Sequence, residues 1–144
     1  MGAPSEYLTF QISGRYFAVP RAQVREMMPV QPLLPGRGNG HHLMGMLYTH
    51  GREIPVFDVR HLLQLEDRET ARSGCILVLG SPSGLEFGFP VDKITDCISV
   101  YPEQISRGAI SGHGRQRHLV EAGQLIAQDA ILGAAFSSSS TSRA

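Results

Sequence analysis

Short segments rich in β-branched and aromatic residues recur along this chain, and Gly or Pro separates nearly every pair of them. "YLTFQIS", "RYFAVP", "LMGMLYT", "EIPVFDV", "CILVLGS", "LEFGFPVD", "CISVY", "HLVEA" and "QLIAQD" follow one another in this way. That rhythm predicts an all-β barrel or sandwich rather than a helical or βαβ fold. "SGR" (13–15) and "SPSG" (81–84) have the composition of hairpin turns, and "PGRGNGHH" (35–42) reads as a loop. Three short helices are expected: "PRAQVREM" with Pro20 at its first position, "VRHLL" capped by Asp58, and "AILGAA" capped by Asp129.

An internal echo narrows the architecture. "RYFAVPRAQVREMM" and "LEFGFPVDKITDCI" share one pattern: aromatic, small, apolar, Pro, three residues, β-branched, any residue, acid. "IPVFDVRHLL" and "LIAQDAILG" both read as strand, Asp, short apolar helix. Pro20 answers to Pro90 and Asp58 to Asp129, offsets of 70 and 71. Two similarly built halves, 7–63 and 75–133, follow from this, each with about five strands. Neither half buries much apolar surface alone, so they are expected to pack together, with a cleft between them as the natural binding site.

Composition removes several classes of function. Thirteen basic and thirteen acidic residues leave no formal charge, which argues against non-specific binding to nucleic acid or anionic lipid. No apolar run reaches the roughly 20 residues of a membrane span, and "MGAPSEYLTF" lacks the layout of a secretory signal. Cys75 and Cys97, both in apolar stretches, read as reduced core thiols of a cytosolic protein. "SSSSTSRA" reads as a disordered tail, 137–144.

The search for chemistry finds little. His41 and His42 are adjacent and would face opposite sides of a strand, His61 follows Asp58, and His113 and His118 flank a Gly/Arg-rich loop. No nucleophile, base and orienting group assemble, and no phosphate loop is present. A binding module, not an enzyme, is expected, with no cofactor and no metal.

Four stretches then carry a resemblance. "YLTFQISGRYFAVPRAQVREMM", "GMLYTHGREIPVFDVRHLL", "CILVLGSPSGLEFGFPVDKITDCISV" and "GQLIAQDAIL" resemble, in order and spacing, the CheW-like domain, over about residues 6–134. The resemblance implies two intertwined five-stranded SH3-like sub-barrels with short helices. It implies an adaptor that joins the cytoplasmic tip of methyl-accepting chemoreceptors to the regulatory domain of a CheA-type histidine kinase. It also implies a cytoplasmic location with recruitment to the inner-membrane receptor array, and no direct contact with nucleic acid or insertion into the membrane. An adaptor for pili or surface motility is the alternative within this class, and a small-ligand sensor using the inter-barrel cleft the alternative outside it.

Site residues follow from the same resemblance. Val24 and Glu26 match the family's V-x-E-[IV] beside the receptor groove, and Ile76 matches a groove position of the second barrel. Met28, with Met27, Met44 and Met46, suits either a flexible surface for a helical partner or core filling. The family reads N-L-R-G where this chain reads Tyr48-Thr49-His50-Gly51, and that arginine is expected to pair with the residue aligned to Glu26. His50 replaces a permanent forked cation by a titratable one. Three roles are open to it: a turn residue with the pairing lost, a pH-sensitive partner of Glu26, or a direct contact for a diverged partner. Segment 103–124 is shorter than usual in the family, so contacts made there transfer less well.

Overall fold

A computed structural model describes residues 2–35, 43–60, 63–65 and 74–128. Tight turns shape its hairpins. Strands β1 (Ser5–Ile12) and β2 (Arg15–Pro20) join through Ser13 and Gly14, at φ 51° and 76°. Strands β4 (Leu43–Thr49) and β5 (Arg52–Phe57) join through His50 and Gly51, at φ 50° and 73°. Two consecutive left-handed residues match the right-handed twist of the flanking strands, and an X-Gly pair adopts them at least cost.

Two sheets result. Strand β3 (Val24–Pro29) pairs with β6 (Cys75–Gly80), then come β7 (Glu86–Val91), β5 and β4, in that order. The other sheet runs β8 (Lys93–Val100), β1, β2, β11 (Arg117–Leu119), β10 (Ala109–Ile110) and β9 (Ile105–Ser106). Each sheet therefore takes strands from both halves of the chain, the intertwining expected of the fold. Tyr7 opposes Ile98 across β1 and β8, and the parallel pairs Phe17–His118 and Val56–Gly88 join the sequence-distant strands. Leu34 exchanges two backbone hydrogen bonds with Met46, of 2.7 and 2.9 Å, and so covers the outer edge of β4.

Alternating burial along the strands builds three cores. Between the sheets lie Phe10, Phe17, Phe57, Phe87 and Phe89, with Leu8, Leu77, Leu79 and Val91 among others. Leu47, Ile54, Val56, Ile76 and Val78 fill the sheet that contains β3. Tyr7, Ala18, Val100 and Ile110 fill the other. A buried aromatic or branched side chain contributes about 1.5–3 kcal/mol by leaving water, so the phenylalanine-rich layer between the sheets carries most of the stability.

Several expectations are corrected here. "PRAQVREM" is not a helix: a single 3-10 turn, Arg21–Gln23, leads into β3. Val24, Glu26 and Met28 turn inward while Arg25 and Met27 turn out, and backbone pairing with β6 outcompetes the helix that Pro20 suggested. Residues 124–128 of "QLIAQD" are not a strand but part of the helix α1 (Ala122–Gln128). Ala122 and Leu125, three residues apart, bury on one side, and the Gln23 side-chain oxygen accepts the Ala122 N–H at 2.8 Å from 99 residues away. The second echo thus fails while the first persists: a strand ends near each proline, and β3 and β8 begin at or next to Val24 and Ile94.

Asp58 accepts the Arg60 N–H at 3.1 Å, as a cap does, but residues 61 and 62 lie outside the described residues. So do Asp129 with its helix, the tail and most of the 35–42 loop. Strands β9 and β10 have no counterpart in the sequence reading. Cys97 is not a core thiol: it is exposed on β8, its Sγ–H donates to Glu6 Oε2 at 3.3 Å, and Cys75 is half-buried. Desolvation, then the Glu6 carboxylate, holds the Cys97 thiol above its ordinary pKa.

Candidate functional site

The sheet that contains β3 is closed on one side by side chains rather than by a backbone ladder. A bulge between Val24 and Glu26 turns Glu26 toward the β4–β5 hairpin. There Thr49 Oγ1 donates to Glu26 Oε2 at 3.4 Å, and His50 Nε2 lies 3.8 Å from the same oxygen. Arg52, first residue of β5, makes the tighter contact: its Nη2 donates to Glu26 Oε1 at 2.7 Å. Its Nη1 donates to Glu86 at the start of β7. One guanidinium thus joins β5 to two carboxylates on β3 and β7, strands that β6 otherwise separates. Glu86, by hydrogen bond and by charge, and Glu26 raise the Arg52 pKa further, against a smaller opposing effect of desolvation.

This answers what becomes of the pairing when histidine stands at position 50. The cation is kept, supplied by Arg52 two residues on, and His50 adds a longer contact from an exposed tip, its side chain 75% accessible. Sequence reasoning fixed on position 50 and missed Arg52. The signal was present: Gly51 marks a two-residue turn, which places Arg52 directly opposite Thr49 and on the same face.

The other expected site residues fall in two groups. Val24 and Ile76 are core residues, 7% and 2% exposed, and their side chains pack inward. Met28 is half-buried against the core that contains Ile76. The exposed apolar surface beside the clamp belongs to their neighbours, with Met27, Val30, Leu34, Met44 and Tyr48 all 44–54% exposed. Six exposed large apolar side chains are found among the described residues, and five of them are these, on β3, β4 and the segment that follows β3.

Among the described residues no three His, Cys, Asp or Glu side chains are grouped to hold a metal ion. His50 and His118 lie on different sheets, at the β4–β5 tip and in β11, so they do not converge, and His61 lies outside the described residues. A cleft of about 240 Å³ separates β2, β11 and α1, lined by Arg15, Phe17, His118, Glu121, Gln124 and Leu125 among others. No described helix is long and apolar enough to cross a membrane.

Comparison with known proteins bears on the same folding pattern. Residues 6–132 match the family model of the CheW-like domain. A curated relative, the chemotaxis protein CheW of Bacillus subtilis (strain 168), is 26% identical over 98 residues, or 68% of this chain. The match spans 62% of that relative's length. In fold, the crystal structure of the scaffolding protein TtCheW from Thermoanaerobacter tengcongensis is similar at a TM-score of 0.75, covering 85% of this chain and 92% of that one, with 14% identity. With the family model matched across both sheets and a similar solved fold, the chain belongs to the CheW-like domain family.

Proposed function

We propose that this chain is a non-enzymatic cytoplasmic adaptor that couples methyl-accepting chemoreceptors to the regulatory domain of a CheA-type histidine kinase, recruited to their array at the inner membrane. Family membership supports the adaptor role. The observation that carries the coupling role is the clamp at the β4–β5 tip with its apolar border. Arg52 fixes the hairpin against β3 and β7, and Met27, next to Glu26, and Tyr48, next to Thr49, stand exposed. A preorganised backbone framed by thioether and aromatic side chains suits an amphipathic helix, because methionine adapts to irregular apolar surfaces while the frame stays fixed. Glu26 and His50 supply the polar edge of this surface. Met28, Val24 and Ile76 support it from beneath.

The test is reconstitution of the purified chain with receptor-bearing membranes and the CheA-type kinase of the same organism. Expected are co-sedimentation with the membranes and receptor-dependent control of kinase autophosphorylation. Met27→Glu should abolish membrane co-sedimentation while its circular dichroism stays that of the parent chain, since Met27 is exposed. Arg52→Ala should weaken it by about tenfold through loss of preorganisation. A parent chain that binds neither membranes nor kinase sinks the proposal.

A further inference from the structure

The mouth of the other barrel holds a second surface of different chemistry. Lys93 opposes Gln11, which opposes Tyr16. Because His118 aligns with Phe17, Arg117 stands beside Tyr16. Directly opposed residues share a face, so Lys93, Gln11, Tyr16 and Arg117 form one row across β8, β1, β2 and β11. Arg115 lies over the middle of the row, its guanidinium carbon 3.9 Å from the centre of the Tyr16 ring.

These groups are short of partners. Arg117 Nη1 donates to the carbonyls of His113 and Arg115, each at 3.2 Å, but among the described residues its buried Nε has no hydrogen-bond partner and its Nη2 is unbonded. Lys93, Gln11, the Tyr16 hydroxyl and the Arg115 guanidinium make no side-chain hydrogen bond or ion pair among the described residues. Asp92, next to Lys93, spends a carboxylate oxygen on the Ser13 N–H at 2.8 Å. From Arg107 to His118 the sequence contains three arginines and two histidines and no acid. Native proteins rarely leave a buried guanidinium donor unpaired without a use for it.

We infer that this row is a docking site for an acidic segment of a partner protein, held in extended form by Arg117, Arg115 and Lys93. Arginine forks accept carboxylates in pairs, and an arginine seated on tyrosine combines the two residue types that most often anchor interfaces. Spacing favours an extended peptide. Four neighbouring strands span about 14 Å from first to last, and side chains four residues apart on an extended segment are separated by nearly the same distance. The chain's overall neutrality argues against nucleic acid or an anionic membrane as the occupant, since both need a broad excess of positive charge.

The experiment titrates the intact chain against a fluorescein-labelled peptide of alternating Glu and Ser, read by fluorescence anisotropy. Duplex DNA and phosphatidylserine vesicles serve as alternative probes. The peptide is expected to bind best and to weaken with added salt. Arg115→Ala and Arg117→Lys should each lower its affinity on the order of tenfold, the second because an ammonium keeps the charge but not the fork. Arg21→Ala, the same loss of charge beyond the opposite end of β2, should change little. The inference is overturned if the peptide does not bind, if DNA or vesicles bind more tightly, or if Arg21→Ala weakens binding as much as Arg115→Ala. Arg115 is exposed, so its variant leaves the fold intact, and thermal unfolding checks this.

Discussion

The two barrels share a core, yet they finish themselves in opposite ways. In the sheet of β3 to β7, the interior is wholly apolar and the open side is shut by a satisfied ionic clamp, with every Arg52 contact pointing inward to Glu26 or Glu86. In the sheet of β8, β1 and β2, the interior includes Tyr7 and the buried Thr9, and its mouth ends in donors that stay unpaired. Thr9 is satisfied internally, sharing a 2.6 Å hydrogen bond with Thr95 and donating to the Asp96 carbonyl. The contrast teaches that polar groups placed at barrel ends serve two purposes. Paired, they fix the backbone; unpaired, they wait for a partner.

This comparison can be broken at several levels. The largest effect is expected where the barrels share material. Phe89, fully buried and in ring contact with Phe10 and Phe87, links strands of both sheets, so Phe89→Ala should cost about 3–5 kcal/mol in a denaturant titration. A cost no greater than that of Ile54→Val, about 1 kcal/mol, would mean that each barrel is stable by itself.

Gly45→Ala comes next. Its φ is 155°, and an added Cβ would meet Leu33 Cβ and the Leu34 carbonyl oxygen, both at 2.7 Å. Because a backbone oxygen cannot swing away, about 2–3 kcal/mol should be lost, and amide exchange should speed up at Met46, whose N–H is bonded to Leu34. Unchanged exchange at Met46 would separate the Leu34 strap from the closure of this barrel.

The smallest effect sharpens the other side of the comparison. Burial, and then the charge of Glu121, raise the Tyr7 pKa above its ordinary value of 10.0. A group with a raised folded pKa contributes stability that is complete below the unfolded value and fades as pH climbs toward the folded one. Wild type should therefore lose stability above about pH 10 faster than Tyr7→Phe does. If the gap between the two stays constant across that range, the tyrosine is not held in the way its burial indicates.

Most strands were legible because their signals are local: β-branched runs, X-Gly turns and the proline echo. The elements misread are those decided by distant contacts. Nothing near Ala122 announces that Gln23 will receive its N–H, so "QLIAQD" kept its strand-like look. Likewise β3 carries residues that a helix would accept, and only pairing with β6 settles the matter. Within the candidate site, Glu26 and His50 were visible as a pair to watch. Arg52 was overlooked although Gly51 marks the turn that aims it, because its role follows only when the register is carried across that turn to Thr49.

Strand β1 has a consequence for how the chain is made. Its partner β8 begins more than 80 residues later, and β2 has to wait longer still for β11. During synthesis at about 5–20 residues per second, the first hairpin therefore emerges with both outer edges bare for several seconds. Contacts so far apart in sequence also predict slow folding for a chain of this size. The exposed charged residues of that hairpin, Glu6 and Arg15, are placed where a nascent ribbon most needs to discourage neighbours.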